Sequence, residues 1–318
     1  MQSIPPFVAV VGPTGSGKSH LALVLAERFG GEIINCDSVQ IFRHFDIGTA
    51  KTPPSERRDI PHHLIDARNP DQVFTAGDYS RAARQILQEI TSRDRLPILA
   101  GGTGFYLRAL VEGLAPGPER DQSMRDRLAG REESRPGLLH RLLRRLDPQA
   151  ASRIHANDLP KNIRAIEICY SARKPVQEVY SQGRDALEGY RVLKIGLFPD
   201  REKLYTRLED RLEKMFADGI VGEVESILKR GFSETCKPFE AIGYKQALQI
   251  VKGESNYRDA LFYARRDTRR YAKRQLTWFR QEPGLEFFSG FGDDPAVAFR
   301  VCERVEDFVE GPRQVDNV

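Results

Sequence analysis

The octapeptide Gly12-Pro13-Thr14-Gly15-Ser16-Gly17-Lys18-Ser19 satisfies the P-loop pattern G-x-x-x-x-G-K-[ST] in full. An apolar run precedes it and a helical pattern follows it, as a P-loop between a buried strand and a helix requires. In such a loop the backbone N–H groups turn toward phosphate oxygens at the positive end of the helix. All eight residues are therefore predicted to bind a diphosphate or triphosphate. Lys18 would add a point charge and the Ser19 hydroxyl would be a ligand for Mg²⁺.

Alternating strands and helices indicate the fold class. The apolar runs Phe7–Val11, Glu32–Cys36 and Leu96–Ala100 predict buried strands, and Tyr79–Ile90 has the spacing of an amphipathic helix. Strand character returns at Arg191–Phe198. This alternation predicts an α/β fold with a P-loop NTPase-like parallel sheet flanked by helices.

The composition of the sequence changes near Gly113. Pro116-Gly117-Pro118 is a linker signal, and the stretch after it is poor in strands and rich in arginine. We expect 1–117 to form the first part of a P-loop catalytic core and 118–189 to form an inserted all-helical domain. We expect 190–318 to form the second part of the core, with basic C-terminal helices. The acidic tail after Gly292 carries no clear pattern.

Charge and cysteine usage narrow the possible functions. The net charge of +4 is modest, but basic residues cluster in the insertion and again among aromatic residues in 263–280. Two such clusters near a phosphate site favour a polyanionic partner. The four cysteines are widely spaced without a C-x-x-C pair, which argues against structural zinc and disulfides. No apolar run suits a signal peptide or a membrane span, so we expect a cytoplasmic protein without membrane contact.

The ends of the other predicted strands help to distinguish the chemistry. Asp37 follows the strand Glu32–Cys36, whereas Leu96–Ala100 runs into Gly101-Gly102-Thr103 without a carboxylate. A P-loop ATPase or kinase needs an acidic residue closing an apolar strand to hold Mg²⁺. Arg207 and Arg211, spaced i,i+4 on a predicted helix, are a possible second clamp on the phosphates. The pattern favours a phosphate cradle that does not hydrolyse ATP.

An ordered set of motifs resembles the tRNA dimethylallyltransferase (tRNA isopentenyltransferase) family. The P-loop is followed by Asp37-Ser38-x-Gln40 and Asp46-Ile47-Gly48-Thr49-Ala50-Lys51. Further matches, in the family's order, are His62-His63-Leu64-Ile65-Asp66, Gly101-Gly102-Thr103-Gly104-Phe105-Tyr106, Asn157-Asp158, Arg164-Ala165-Ile166-Glu167, Ile242-Gly243-Tyr244 and Ala272-Lys273-Arg274-Gln275-Leu276-Thr277-Trp278. Together they extend over nearly the whole chain, and the set is far more specific than the P-loop alone.

The resemblance implies an activity and its catalytic residues. Members transfer a dimethylallyl group from dimethylallyl diphosphate to the exocyclic N6 amine of the adenosine immediately 3′ of the anticodon. The tRNAs concerned read codons that begin with U, and the products are N6-isopentenyladenosine and diphosphate. The family's general base corresponds to Asp37 and its assisting hydroxyl to Thr103, with Mg²⁺ expected at Ser19. The eukaryotic branch carries a zinc finger that this chain lacks, so it is similar to the bacterial form, and we expect a monomer.

The resemblance also implies how the tRNA anticodon stem-loop is bound. The family's inserted helical domain grips this stem-loop, in agreement with the arginine-rich insertion. The corresponding contact residues are Asp37, Ser38, Val39, Gln40, Thr103, Arg125, Pro160, Lys161, Asn162, Ile163, Arg164, Glu240, Ala241, Ile242, Gly243, Tyr244 and Lys245. One departure is Pro160-Lys161, where Gln-Arg is expected. Lys161 keeps the charge but loses the planar fork of arginine, which suits contact with a phosphate better than recognition of a base.

Three other functions fit parts of the sequence. An adenylate isopentenyltransferase shares the P-loop and the aspartate but prenylates a free nucleotide, and the basic clusters favour tRNA over it. A small-molecule P-loop kinase is disfavoured by the strand end at Gly101-Gly102-Thr103. An RNA-binding NTPase switch would use the same motif to bind ATP, and RNA would stimulate its hydrolysis.

Overall fold

A computed structural model of the chain describes residues 4–181 and 183–311. Residues 1–3, 182 and 312–318 of the expected domain ranges lie outside the described residues. The described chain divides into two compact units. One is Val111–Leu187 and the other comprises the residues before and after it.

The larger unit is built on a six-stranded sheet. Its strands are β1 (Pro6–Val11), β2 (Gly31–Asn35), β3 (His62–His63), β4 (Leu96–Gly101), β5 (Arg191–Phe198) and β6 (Leu285–Ser289). Their order across the sheet is β3-β2-β4-β1-β5-β6, and every neighbouring pair is parallel. This confirms the predicted α/β fold. The carboxyl ends of β1, β2 and β4 come together at one edge, where ligands of such sheets bind.

Helices account for most of the rest of the described chain. In chain order they are α1 (Lys18–Phe29), α2 (Ala76–Ser92), α3 (Gly104–Val111), α4 (Gln122–Ser134), α5 (Leu138–Leu146), α6 (Pro148–Arg153), α7 (Leu159–Ala172), α8 (Val176–Tyr180), α9 (Arg201–Ala217), α10 (Ile220–Lys229), α11 (Tyr244–Val251), α12 (Tyr257–Arg280) and α13 (Pro295–Glu310). Within the described residues, none of these helices combines the length and apolar character needed to cross a membrane.

The β1 strand is buried along almost its whole length, as its apolar sequence predicts. Val8 and Val10 pack in one cluster with Leu21 and Leu25 of α1 and with Val301 of α13. The tail after Gly292, which carries no clear sequence pattern, therefore contains a helix that completes the core. Its apolar residues at helical spacing (Val297, Val301 and Val305) are buried and explain the packing.

The unit Val111–Leu187 contains α4 to α8 and has its own core. Leu128, Leu139, Leu143 and Ile166 pack together there. Its two ends meet, since the Leu187 N–H donates to the Val111 carbonyl at 2.9 Å. The insertion expected over 118–189 thus corresponds to a unit with bounds 111 and 187, because the end of α3 is hydrogen-bonded to the returning segment.

Candidate active site

The P-loop begins where β1 ends and leads to the N-terminus of α1. Gly12, Gly15 and Gly17 have φ angles of 147°, 78° and 83°, a region in which residues with side chains are strained. Gly17 also has no room for a Cβ, because Gly292 and the Asp293 carboxylate lie against it. The loop therefore wraps the amino end of α1, where free N–H groups and the helix dipole favour phosphate.

Lys18 is the charged side chain of this loop. Its Nζ donates to the Pro13 carbonyl at 2.6 Å. Burial and, next, the positive charge of Arg211 lower the pKa of Lys18 from 10.5 to about 7, while the negative charge of Asp37 opposes the shift. A bound phosphate would stabilise the charged ammonium, so the surroundings of Lys18 suit its predicted role.

Asp37 stands just beyond the end of β2, at the edge of the sheet that carries the P-loop. Its Oδ1 accepts hydrogen bonds from the backbone N–H groups of Val39 at 2.8 Å and Gln40 at 3.2 Å. Its Oδ2 has no hydrogen-bond partner among the described residues, and the residue lines the pocket described below. One oxygen is thus anchored while the other is available to accept a proton.

Thr103 follows the end of β4, the neighbour of β2. Its Oγ1 accepts the Ser38 backbone N–H at 3.1 Å, and its own N–H donates to the Cys36 carbonyl at 3.1 Å. These two bonds hold the chain on both sides of Asp37. The residue is set back from the pocket wall, so the structure gives the predicted assisting hydroxyl a contact that positions the Asp37 loop.

A pocket of about 600 Å³ brings most of the predicted residues of the larger unit together. Those that line it are Thr14, Gly15, Gly17, Lys18, Ser19, Asp37, Ser38, Val39, Gln40, Glu240, Ala241 and Ile242. Gly12, Pro13 and Ser16 lie behind this wall, and the Ser16 hydroxyl donates to the Pro13 carbonyl at 2.8 Å. These three residues shape the loop, while the others face a space large enough for a small ligand.

Arg211 of α9 reaches the P-loop. Its Nη1 donates to the Thr14 hydroxyl at 3.4 Å and its Nη2 to the Thr49 carbonyl at 3.2 Å. Arg207 also lines the pocket but forms an ion pair with Asp293 at 2.8 Å. The sequence did not identify Asp293 as a partner of Arg207, because it lies in the segment after Gly292, which carries no clear pattern. Both guanidinium groups bring positive charge to the phosphate end of the pocket.

The segment Glu240–Lys245 divides between the pocket and the interior. Glu240, Ala241 and Ile242 line the pocket, and Lys245 is exposed. Gly243 and Tyr244, by contrast, are buried. The Tyr244 hydroxyl donates to Glu223 at 2.8 Å and accepts the Gly48 N–H at 3.0 Å. The Tyr244 side chain is therefore not available to RNA in this structure, and it supports the Gly48–Ala50 wall of the pocket instead.

Glu223 was not singled out in the sequence, although it lies at the centre of this support. Its carboxylate accepts the backbone N–H groups of Asp46 at 2.5 Å and Ile47 at 2.9 Å. Burial raises the pKa of Glu223, and these hydrogen bonds oppose the shift. A lone glutamate in an amphipathic helix gives no sign of such contacts, because its partners lie 176 and 177 residues away.

The predicted tRNA contacts of the insertion lie in the smaller unit. Arg125 donates to Glu167 at 2.9 and 2.6 Å, and Arg164 donates to the same carboxylate at 2.6 Å. Burial alone would raise the pKa of Glu167, but the two guanidinium groups outweigh it and lower the pKa to about 2. Both arginines are thus held by one buried carboxylate with part of each side chain exposed.

The neighbouring residues of α7 differ in their exposure. Pro160 and Lys161 are exposed, and Lys161 pairs with Asp158 at 2.6 Å. Ile163 belongs to the core of this unit. Asn162 is buried, and its amide donates to the carbonyls of three residues (His155, Ala156 and Asp158). In this structure Asn162 and Ile163 hold the start of α7, and Pro160 and Lys161 are the surface positions.

The basic cluster of α12 has two kinds of member. Arg265 and Arg269 form ion pairs with Glu213 and Glu209 of α9. Arg274, in contrast, lines the pocket beside Tyr271, with its guanidinium carbon 5.6 Å from the ring centre. In the basic cluster that was predicted to bind a polyanion, Arg265 and Arg269 therefore hold α9 and α12 together, whereas Arg274 faces the candidate site.

The residues at the pocket suit a magnesium ion held by phosphate. No cluster of three or more His, Cys, Asp or Glu side chains that would cage a metal occurs among the described residues. Mg²⁺ in phosphate sites usually keeps several waters and binds one or two protein groups plus the phosphates. The exposed Ser19 at the start of α1 lines the pocket and provides one such oxygen.

Comparison with known proteins gives consistent matches. The family described as IPP transferase matches residues 40–282. A relative named tRNA dimethylallyltransferase, from Solibacter usitatus, is 60% identical over 304 residues, covering 96% of this chain and 99% of the relative.

Solved structures agree with this match. A full-length tRNA isopentenylpyrophosphate transferase from Bacillus halodurans is 34% identical with a TM-score of 0.71, covering 96% of this chain and 97% of that one. A eukaryotic dimethylallyltransferase described as acting on tRNA is 26% identical with a TM-score of 0.82, covering 96% of this chain and 80% of that one.

Proposed function

Because the chain belongs to the IPP transferase family, we propose that it transfers a dimethylallyl group from dimethylallyl diphosphate to an adenosine in tRNA. The acceptor atom is the exocyclic N6 amine of the adenosine immediately 3′ of the anticodon. The observation that carries the proposal is a P-loop that shares one pocket with Asp37, while β4 ends without a carboxylate. A phosphate-binding loop next to a carboxylate that can accept a proton fits alkyl transfer better than ATP hydrolysis.

The reaction needs a base because the N6 lone pair is delocalised into the adenine ring. As N6 attacks C1 of the allylic group, the bond between C1 and the diphosphate oxygen breaks and the diphosphate leaves with the electron pair. The amine proton passes to Oδ2 of Asp37, the oxygen left without a partner among the described residues. The anchored Oδ1 keeps the carboxylate in place during this transfer.

The leaving diphosphate is stabilised by donors and positive charges that line the same end of the pocket. The P-loop amides, Lys18 and Arg211 supply hydrogen-bond donors and positive charge at the end of the pocket. Such preorganised charge lowers the barrier where negative charge develops. We propose that Ser19 holds Mg²⁺, which would neutralise the diphosphate when bound.

The tRNA partner fits the distribution of basic residues. Arg274 and Tyr271 at the pocket suit a flipped-out base and its phosphate, since aromatic rings stack on bases and arginine pairs with phosphate. In the insertion, Lys161 and several arginines (Arg127, Arg131, Arg141, Arg144 and Arg145) are exposed. We propose that these residues contact the anticodon stem-loop, and a cytoplasmic location accords with such a substrate.

A comparison of acceptors tests this function. The enzyme is given radiolabelled dimethylallyl diphosphate with either unmodified tRNA or AMP, and the labelled nucleoside is identified by mass spectrometry. We expect N6-isopentenyladenosine in tRNA, located 3′ of the anticodon, and negligible product from AMP. Efficient prenylation of AMP would indicate that the protein is an adenylate isopentenyltransferase instead.

A further inference from the structure

Gln275 of α12 bridges two of the strand-end loops that form the candidate site. Its Oε1 accepts the Thr14 backbone N–H at 2.8 Å, and its Nε2 donates to the Gly102 carbonyl at 2.8 Å. The side chain is buried, with 6% of its surface exposed. Gly102 allows this approach because a Cβ there would collide with the Gln275 amide. The two backbone partners fix which end of the carboxamide is oxygen and which is nitrogen.

The bond to Thr14 changes which P-loop amides are available to a ligand. The Ser16 N–H donates to the Pro13 carbonyl at 3.3 Å and the Thr14 N–H to Gln275. Within the described residues, the remaining pocket-lining amides, those of Gly15, Gly17, Lys18 and Ser19, have no protein acceptor. The available donors are therefore concentrated at the amino end of α1.

Thr14 is the pocket-lining loop residue furthest along the chain from α1. Phosphates bound at the helix end would use the amides of Gly15, Gly17, Lys18 and Ser19. A further phosphate next to Thr14 would find its N–H already bonded and would face the lone pairs of Gln275 Oε1. An acceptor oxygen beside an anionic oxygen is repulsive, and a phosphate there would lack the backbone donor that Gln275 occupies, although the Arg211 guanidinium lies close to Thr14.

We propose that Gln275 is a specificity-determining residue that restricts this P-loop to two phosphates. It withdraws one amide from the loop and places an acceptor where a third phosphate would bind, so triphosphates are disfavoured. The inference rests on the proposed function, because it concerns the same diphosphate site. It gives a physical reason for a P-loop enzyme to use an allylic diphosphate in a cell that is rich in nucleoside triphosphates.

Inorganic ligands test the inference without the prenyl group or tRNA. Isothermal titration calorimetry with Mg²⁺ compares pyrophosphate with tripolyphosphate on the wild-type enzyme and on Gln275→Met, which keeps the side-chain volume but removes both hydrogen bonds. We expect the wild type to prefer pyrophosphate by roughly tenfold or more, about the effect of one charge-assisted hydrogen bond. In Gln275→Met the preference should shrink to about threefold or less through a gain in tripolyphosphate affinity. Arg211 is present in both proteins, so the difference between their two ratios isolates the effect of Gln275.

Two further variants keep the test decisive. Gln275→Glu retains the acceptor for Thr14 and should keep the preference for pyrophosphate. It loses the donor to the Gly102 carbonyl, and its added charge weakens the binding of both ligands. Gln246→Ala removes another buried carboxamide, which bonds Gly243 and Asp267, and should leave the ratio unchanged. An unchanged ratio in a folded Gln275→Met protein that still prenylates tRNA would overturn the inference alone. A wild type that binds no pyrophosphate would contradict the proposed function itself.

Discussion

At the scale of single residues, Asp37 offers the sharpest test of mechanism because its two carboxylate oxygens have different roles. Asp37→Asn retains an oxygen to accept the Val39 and Gln40 N–H groups but removes the base. We expect the single-turnover rate of prenyl transfer to fall by roughly 10²–10⁴, with diphosphate affinity almost unchanged. Rapid-quench kinetics with enzyme in excess over tRNA measures this rate.

The control for Asp37→Asn is Asp210→Asn, which makes the same charge change at an exposed position of α9. It should leave the rate unaltered. An Asp37→Asn enzyme within tenfold of the wild type would remove Asp37 from the proton transfer.

Thr103 should matter less than Asp37, because its hydroxyl holds the Ser38 backbone N–H and carries no proton in the reaction. Thr103→Val keeps the shape and loses this acceptor, and we expect a rate loss of about tenfold, the effect of one hydrogen bond. Thr103→Ser restores the acceptor and should recover most of the rate. If the serine variant is as slow as the valine variant, the hydroxyl does not act through Ser38.

At the scale of secondary-structure elements, Glu167 of α7 links the two helices that carry Arg125 and Arg164. Glu167→Gln would remove the charge shared by both arginines, and we expect α4 and α7 to lose about 3 kcal/mol of local stability. Because burial is outweighed by the two guanidinium groups, the pKa of Glu167 is lowered from 4.5 to about 2. The stabilisation is therefore fully present above about pH 4.5 and is lost as the pH falls toward 2.

Hydrogen–deuterium exchange of α4 and α7 measures this loss at neutral pH. The matched control is Glu133→Gln, a change at an exposed position of α4 in the same unit. Equal protection of α4 in the two variants would show that the Glu167 ion pairs do not stabilise the insertion.

The elements differ in how far their sequences determine them. β1 and the P-loop were predictable because a buried apolar run, fixed glycines and a helix pattern adjoin one another. The short strand β3 has only two residues, and β6, at the edge of the sheet, has a single buried position, Leu285, so neither has a distinct pattern. The motifs shared with the family identified Tyr244 and Asn162 as contacts, but only the fold reveals that both side chains are buried. Tyr244 is bonded to Glu223 of another helix, and Asn162 is bonded to the backbone of the loop before α7.

At the scale of the whole molecule, the insertion should serve tRNA binding without being needed for the phosphate site. Gly113 lies so close to the Asp185 backbone that a short glycine–serine linker would join these positions after removal of the residues between them. We expect the shortened protein to bind pyrophosphate normally and to lose tRNA prenylation. Near-normal kcat/KM for tRNA would assign recognition to the larger unit instead.

Positive charge spread over the molecule predicts the salt dependence of tRNA affinity. Contacts to phosphates release counterions, so affinity should fall steeply with salt and by similar amounts for cognate and non-cognate tRNAs. Filter binding at several salt concentrations measures both slopes. A flat salt dependence would contradict phosphate contacts by the basic residues of the insertion and α12.

The central claim is that this P-loop holds the leaving group of an alkyl transfer and does not hydrolyse nucleotides. One experiment follows product release by the wild-type enzyme with dimethylallyl diphosphate or ATP, each with and without tRNA. We expect diphosphate release only when tRNA and the allylic substrate are both present, in equal amount to prenylated nucleoside. Sustained phosphate release from ATP at about 1 s⁻¹ or faster, typical of phosphoryl-transfer enzymes, without prenylated nucleoside would contradict the account.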